Sequence, residues 1–253
     1  MIAVVSMLLH GSTELPAPTS KLSPWLDYKP TPFDEIRIAY GSQNGRRLIK
    51  THTPVDGLPL VNGTQIISVL RNPLDAMRSM RRHVLNMVDP PKDDPFLAGE
   101  NAVIARGLDL SFEPTNVDDV SLELLVRHLR AAKHAMVGND DRVILVHYSD
   151  MKRDLSEVIG RVAAVVQANA PPEFLEEVEK AASISSMRSK ADQFAPLANV
   201  KHFSSTESFF AAGEQRGHNE LAPHLRARYE ERLKELLPRS EASWLDGGGP
   251  STI

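Results

Sequence analysis

Three short, continuous apolar runs constrain the fold of this chain more than any other feature. They lie at residues 47–51 (RLIKT), 65–70 (QIISVL) and 142–147 (RVILVH). Runs that are apolar throughout, rather than alternating, are typical of strands covered on both faces. Stretches with helical spacing of apolar residues separate them. Strands that alternate with helices predict an α/β fold with a parallel β-sheet flanked by helices.

The rest of the chain is interpreted in the same way. Further helices are predicted at 33–40, 75–87, 120–136, 155–166, 173–182 and 225–237. The proline-rich stretch 89–117 predicts a long surface loop. Because the sequence shows neither an internal repeat nor a second apolar core, residues 1–246 are predicted to form one domain, and the glycine-rich residues 247–253 a disordered tail.

The apolar residues 1–9 (MIAVVSMLL) predict a buried helix that ends near Gly11. The run is too short to cross a membrane, and no basic residues precede it as they do in a signal peptide. No residue suited to capping the first amides precedes it either. Two interpretations stay open here, a frayed helix start or a missing upstream segment.

Composition excludes several classes of site. The 253 residues include no cysteine, which excludes a disulfide scaffold, a thiolate nucleophile and a cysteine-ligated zinc site. The nine histidines show no H-E-x-x-H spacing, so we predict no metal site. A net charge of −4 argues against broad nucleic-acid binding. Neither a G-x-x-x-x-G-K-[ST] loop nor G-x-G-x-x-G is present, which argues against a nucleotide kinase.

Lys50 lies near the end of the first apolar run, and His52 directly follows that run. Being two residues apart, they face the same side for as long as the strand continues. The carboxyl ends of parallel strands are where open sheets bind ligands, and a histidine there is suited to act as a general base near neutral pH. The alternative is a histidine that merely forms a hydrogen bond at the end of a strand.

Arg71 lies between the second run and a helix that begins near Pro73, a residue favoured in a first helical turn. A guanidinium just before a helix N-terminus predicts an anion site, to which Ser79, two turns along, would add a hydroxyl. The remaining arginines of this helix are interpreted as a solvated face: Arg78, Arg81 and Arg82.

Tyr148 directly follows the third run. Its ring is suited to cover a nucleobase, or equally to close the hydrophobic core. Local sequence does not separate these two roles.

Together these stretches resemble the sulfotransferases that use 3′-phosphoadenosine 5′-phosphosulfate (PAPS). The family element K-T-H-L-P matches residues 50–54, with Thr53 in place of Leu. The element R-N-P-x-D-x-x-x-S matches residues 71–79, and Y-x-D-[ML]-K matches 148–152. The S-P-W segment of bacterial members matches 23–25. The order and separation of these matches carry the resemblance, which covers most of residues 1–215.

The resemblance implies a P-loop nucleotide-kinase-like three-layer sandwich and PAPS as co-substrate. It implies that Arg71 and Ser79 hold the 3′-phosphate of the donor and that Tyr148 lies beside the adenine. Ser183 matches the Ser of the family segment T-S-F-x-x-M. Ala182 and Ile184 replace the Thr and Phe of that segment, which predicts looser adenine packing.

The resemblance also implies the catalytic roles. Lys50 would contact the sulfonate, and His52 would take the proton of the acceptor. Sulfuryl transfer moves a compact anionic group between two oxygens, so the task of the protein is mostly positioning and charge stabilisation.

The sequence departs from the family at two places. The family loop P-K-[ST]-G-T-T-W has no match, and residues 1–9 resemble the helix that follows this loop. We therefore expect an N-terminally truncated domain, lacking the first strand and the loop, with little activity. Residues 209–213 (FFAAG) match F-[FM]-R-x-G without its Arg, for which Arg216 is a weak substitute.

These observations predict a cytoplasmic, bacterial-type sulfotransferase. It would act on a hydroxyl or amine of a small-molecule acceptor, without a nucleic-acid or membrane partner. The alternative is a truncated or degenerate non-catalytic member that at most binds adenosine 3′,5′-bisphosphate or a protein partner. No pattern in the sequence identifies the acceptor.

Overall fold

The structure, a computed structural model, describes residues 1–28, 30–59, 61–115, 119–137, 142–195, 202–210 and 215–249. The chain divides into two compact units. Unit 1 comprises Met1–His52 and Leu155–Gly213, and unit 2 comprises Thr53–Asp154 and Glu214–Ile253. Each unit is described by itself, and the single domain expected for residues 1–246 stays a prediction.

The described elements follow one another in chain order. The helices are α1 (Ile2–His10), α2 (Thr19–Leu22), α3 (Phe33–Gly41), α4 (Pro73–Leu85), α5 (Glu100–Asp109), α6 (Leu122–Val137), α7 (Tyr148–Arg153), α8 (Leu155–Val165), α9 (Pro172–Ala181), α10 (Ile184–Ser189), α11 (Ala191–Phe194), α12 (Thr206–Phe209), α13 (Pro223–Leu236) and α14 (Arg239–Gly247). The strands are β1 (Ile66–Leu70) and β2 (Val143–His147). Single 3₁₀ turns occur at Val55–Gly57 and Pro95–Leu97.

Strands β1 and β2 lie in unit 2 and pair in parallel, in a register that places Ile66 beside Val143 and Leu70 beside His147. Helix α6 packs against both strands. Two of the three predicted strands are thus confirmed, as is their parallel pairing. Strand β2 is buried along most of its length, whereas Val69 of β1 is 42% exposed.

The predicted strand at 47–51 is wrong. This segment forms a single parallel bridge, between Lys50 and Trp25, and Ile49 is 49% exposed. A strand needs a continuous ladder of partners for its backbone N–H and C=O groups. Among the described residues this segment finds one such position, so its apolar composition does not produce a strand.

Helix α4 begins as the sequence predicts. The Asn72 side chain caps it by accepting the amide of Asp75 at 3.2 Å, and Pro73 occupies the first turn. One face of the helix buries Leu74, Met77 and Val84. This cap fixes the direction in which the chain leaves β1.

Helix α1 is confirmed. It ends at Gly11, whose φ of +61° is the left-handed conformation that glycine favours, and whose amide donates to the Met7 carbonyl. Met1 supplies no side-chain cap. The helix is almost wholly buried and packs against α8 and α9 within unit 1.

The long loop predicted at 89–117 is wrong for its second half, which contains α5. Val103, Ile104 and Leu108 of α5 are buried, and Gly107 lies so close to α4 that a Cβ would come within 2.7 Å of the Met77 sulfur. The prolines that suggested a loop lie mostly at 90–95, before the helix. Residues 116 and 117 lie outside the described residues.

The C-terminal glycines also differ from the expected disordered tail. Gly247 ends α14, the Gly249 carbonyl accepts the indole N–H of Trp244, and residues 250–253 lie outside the described residues. Trp244 and Leu245 join the hydrophobic core of unit 2, which also contains Leu74, Leu129 and Tyr229. The segment after α13 is therefore part of unit 2.

Candidate functional site

In unit 1, Lys50 and His52 meet at one aromatic ring. The Lys50 ammonium lies 3.6 Å from the centroid of the Trp25 ring, and the His52 ring lies 4.3 Å from it. Tyr28 stacks on Trp25 at 5.0 Å. The two predicted catalytic residues are thus brought together although no strand carries them.

Asp27 binds the segment that carries Lys50 and His52, and it was not among the site residues predicted from the sequence. Its carboxylate accepts the backbone N–H of His52 at 2.9 Å and the Thr51 hydroxyl at 2.7 Å. The Leu26 amide donates to the Lys50 carbonyl at 2.9 Å, which adds a third bond between the two segments. The sequence shows only that a carboxylate stands two residues after the S-P-W segment. Its partners Thr51 and His52 lie 24 and 25 residues further along the chain, so local sequence did not indicate the contact.

Ser183, also in unit 1, forms hydrogen bonds with residues close to it in sequence. Its hydroxyl accepts the amide of Ser186 at 3.2 Å, as the N-cap of α10, and lies 3.2 Å from the Ser185 hydroxyl. Ala182 beside it is buried. The role of Ser183 toward a nucleotide stays a prediction.

In unit 2, Arg71 and Tyr148 follow the two strands and meet at the carboxyl end of the sheet. The Arg71 guanidinium carbon lies 4.5 Å from the centroid of the Tyr148 ring, a cation–π distance. The parallel register of Leu70 beside His147 places both residues one step beyond the same end. Burial lowers the pKa of Arg71, while Tyr148 and Asp75 oppose that shift.

A guanidinium that lies against an aromatic ring is chemically suited to a ligand that combines an anionic group with a flat ring. A partly desolvated cation gains from an anionic partner, and the adjacent aromatic ring offers a face to a base. Ser79 lies on α4, two turns beyond Arg71 and outside the Arg71–Tyr148 contact. Its part in holding a phosphate stays a prediction.

The interpretation of Arg78 as a solvated residue is wrong. Arg78 is 2% exposed, and its guanidinium bonds the carboxylates of Asp75 and Glu100 at 3.4 and 2.9 Å and the Gly217 carbonyl at 2.6 Å. A charged group this deeply buried requires such partners. Since Glu100 and Gly217 come from distant segments, the local pattern of α4 did not reveal the burial.

Arg216, the weak substitute for the missing family Arg, lies in ion pairs. Its guanidinium bonds Glu100 at 2.9 Å and Glu220 at 3.0 Å. The backbone amides of Arg216 and Gly217 both donate to Asp75 at 3.1 Å. The segment is therefore fixed to the start of α4, and its charge is engaged by carboxylates. Ala211–Gly213, the rest of this predicted element, lie outside the described residues.

His147 ends β2 and is fully buried. Its Nδ1 accepts the Ser149 amide at 3.2 Å, so the ring proton lies on Nε2, which donates to the Leu245 carbonyl at 3.1 Å. Burial lowers the pKa of His147 and keeps it neutral. The residue caps α7 and fixes the backbone that carries Tyr148.

Within the described residues, no group of three histidine or acidic side chains is placed to hold a metal ion. Across the same residues, no helix combines the length and the apolarity that a membrane crossing requires.

Comparisons with known proteins bear on both units. The sulfotransferase domain family matches residues 6–241. A glycolipid sulfotransferase of Mycobacterium bovis is 29% identical over 277 residues, covering 97% of this chain and 83% of the relative. A glycolipid sulfotransferase of Mycobacterium tuberculosis is likewise 29% identical, over 276 residues with the same coverage.

Two solved structures share the fold. A mouse sulfotransferase complexed with PAP (adenosine 3′,5′-bisphosphate) has a TM-score of 0.63 at 20% identity, covering 84% of this chain and 72% of the mouse chain. Retinol dehydratase, solved with androsterone and PAP, has a TM-score of 0.70 at 14% identity, covering 94% of this chain and 76% of the other. These likenesses confirm the predicted α/β fold. Since the family match spans nearly the whole sequence, the chain belongs to the sulfotransferase family, whose reaction is sulfuryl transfer from PAPS.

Proposed function

We propose that this protein transfers a sulfuryl group from PAPS to a hydroxyl on the carbohydrate part of a glycolipid. The observation that carries the proposal is the convergence of Lys50 and His52 on the Trp25 ring, fastened by Asp27. The two mycobacterial relatives, both described as glycolipid sulfotransferases, support the acceptor class.

Trp25 and Tyr28 would form the acceptor side of the site. Aromatic side chains commonly line ligand sites, and the two stacked rings lie next to the proposed base. The indole N–H of Trp25 is buried and finds no hydrogen-bond acceptor among the described residues. A buried donor of this kind favours a ligand oxygen as its partner.

Within unit 2, Arg71 and Ser79 would bind the 3′-phosphate of the donor, and Tyr148 would lie beside its adenine. For Ser183, in unit 1, we keep the role of a donor contact that the family resemblance implies. PAPS supplies the sulfuryl group when it is bound. The chain supplies position and charge: Arg71 already lies in contact with Tyr148, which limits the orientations available to both side chains.

The chemistry then depends on two residues of unit 1. His52, in its neutral form, takes the proton of the acceptor hydroxyl as the oxygen attacks. Lys50 stabilises the negative charge that develops during transfer. Asp27 holds the backbone of His52, and the Leu26 amide holds the carbonyl of Lys50. We place the protein in the cytoplasm, an assignment that the absence of cysteine supports.

The test is transfer of ³⁵S from labelled PAPS to a panel of glycolipids, with free sugars, phenols and amines as competing acceptor classes. Because the family loop P-K-[ST]-G-T-T-W has no match, turnover should be slow, and the label transferred is therefore followed over long incubations at high enzyme concentration. His52→Ala should lower kcat at least about 100-fold, the range for loss of a general base. PAP affinity, measured by calorimetry, should be unchanged. The matched control is His224→Ala, which removes an exposed histidine of α13.

Three outcomes would each contradict the proposal or a part of it. Full activity of His52→Ala would exclude His52 as the base. A protein that binds PAP but transfers sulfur to no acceptor would instead match the non-catalytic alternative. Transfer to phenols or amines alone would retain the reaction and exclude the glycolipid acceptor.

A further inference from the structure

The C-terminal segment 245–249 lies against the ends of both strands in unit 2. The carbonyl of Leu245 accepts a hydrogen bond from Nε2 of His147, which is buried at the end of β2. The backbone carbonyl and the carboxylate of Asp246 accept the Asn72 side-chain amide, at 3.1 and 3.0 Å, just beyond the end of β1. Two consecutive residues thus bind both strand ends.

The residues held in this way are the immediate neighbours of the proposed donor residues. Asn72 follows Arg71 and caps α4 through its other side-chain atom, Oδ1. His147 precedes Tyr148 and caps α7 through Nδ1. A shift of either side chain would displace Arg71 or Tyr148, whose 4.5 Å contact depends on both backbones.

Asp246 is fixed from three further directions within unit 2. Its carboxylate accepts the hydroxyl of Tyr229, from α13, and lies 3.1 Å from Nε2 of His218. It also belongs to α14, which Trp244 and Leu245 anchor in the core. A carboxylate held in this way is a rigid acceptor for Asn72.

Gly248 allows the close approach of this segment. Its φ is +70°, and a Cβ at this position would lie 2.8 Å from both Asp150 Oδ1 and His147 Nδ1. The next amide, of Gly249, donates to Asp150 Oδ1 at 2.9 Å. A side chain at position 248 would therefore force the segment away from β2 and α7.

We infer that Asp246 is a positioning residue of the donor site, and that segment 245–249 braces Arg71 and Tyr148 through Asn72 and His147. The inference rests on the proposed function, in which Arg71 and Tyr148 hold the donor nucleotide. The brace itself touches no donor. By holding the two side chains in place before the donor binds, the segment lowers the conformational entropy that they lose on binding.

The test is PAP affinity by calorimetry, measured beside the melting temperature. Asp246→Asn keeps the size of the side chain but places a second amide against that of Asn72. We expect the PAP dissociation constant to rise about tenfold, as for the loss of one charge-assisted hydrogen bond. The KM for PAPS should rise in parallel, with little change in kcat. Gly248→Ala, which removes no polar group but forces the segment away from β2 and α7, should weaken PAP binding in the same direction.

The matched control is Glu241→Gln, on the same helix. Glu241 forms an ion pair with Lys133 on α6, and in the described part of the chain it bonds neither Asn72 nor His147. This variant makes the same chemical change and should lower the melting temperature without changing PAP affinity.

The measurements distinguish failure of this inference from failure of the proposed donor site. Unchanged PAP affinity in Asp246→Asn would overturn the inference, and so would an equal loss in Glu241→Gln, since general destabilisation would then explain both. If the unsubstituted protein bound no PAP, the proposed donor site would fail and this inference with it. Weakened binding in Asp246→Asn and Gly248→Ala alone would establish the brace.

Discussion

At the scale of single residues, Asp27 determines where the proposed base stands. Its carboxylate bonds the backbone of His52 and the hydroxyl of Thr51, so it sets the position of His52 through the main chain rather than through the imidazole. Asp27→Asn keeps one acceptor oxygen but loses the charge that strengthens both bonds. We expect kcat to fall about tenfold while the PAP dissociation constant is unchanged, as measured by steady-state kinetics and calorimetry.

Asp34→Asn serves as the control for that prediction. Asp34 is a carboxylate of the same unit, exposed on α3 and paired with Arg37. Its substitution should leave kcat unchanged. An unaltered kcat in Asp27→Asn, or a loss of PAP affinity there, would show that Asp27 does not act through His52.

Local sequence identifies residues whose surroundings are local and misses those whose partners are remote. The predicted site residues His52, Arg71 and Tyr148 stand directly after apolar runs, and Lys50 stands near the end of one, a pattern visible in the sequence. Asp246 could not be found in this way, because Asn72 lies 174 residues from it.

At the scale of elements, the junction of β2 and α7 couples the stability of unit 2 to pH. Burial lowers the pKa of His147, and Arg153 adds to this effect while Asp150 and Asp246 oppose it. The folded protein therefore binds this proton less readily than the unfolded chain, whose histidines titrate near pH 6.5. The stabilisation is present above about pH 6.5 and is lost as the pH falls below it.

His147→Gln should remove that dependence. A glutamine accepts and donates hydrogen bonds without titrating, so the variant should be less stable at neutral pH but lose less on acidification. The measurement is the melting temperature from about pH 7.5 to about pH 5.5. His134→Gln, on an exposed position of α6, is the control. Equal slopes in the unsubstituted protein and His147→Gln would refute a protonation cost at His147.

Helices were predictable where apolar residues recur with helical spacing over several turns. Helices α4, α6, α8, α9 and α13 begin and end within about two residues of their predicted bounds. Residues 47–51 failed because pairing partners, rather than composition, decide whether a strand forms. Helix α5 was missed because the prolines before it suggested a loop. In the structure its apolar face packs against α4, where Gly107 lies next to Met77.

At the scale of the whole molecule, net charge and ligand charge have the same sign. The chain carries −4, and PAP is a polyanion, so the average field opposes binding. The attraction must be local, and Arg71 is the proposed source. A partly buried cation is screened by salt less than a surface cluster is.

This predicts a modest dependence of PAP affinity on salt. Between about 50 and about 500 mM NaCl we expect the dissociation constant to rise about three- to tenfold, because only part of the Arg71 contact is open to screening. Arg71→Ala should weaken binding by about 1.5–3 kcal/mol and flatten the salt dependence, whereas Arg81→Ala, on the helix α4 that follows Arg71, should do neither. Calorimetry at both salt concentrations provides the measurement, with uncharged adenosine as the ligand control. Equal affinity and equal salt dependence in Arg71→Ala would place the source of attraction elsewhere, because no local charge at position 71 would then be offsetting the repulsion of the chain.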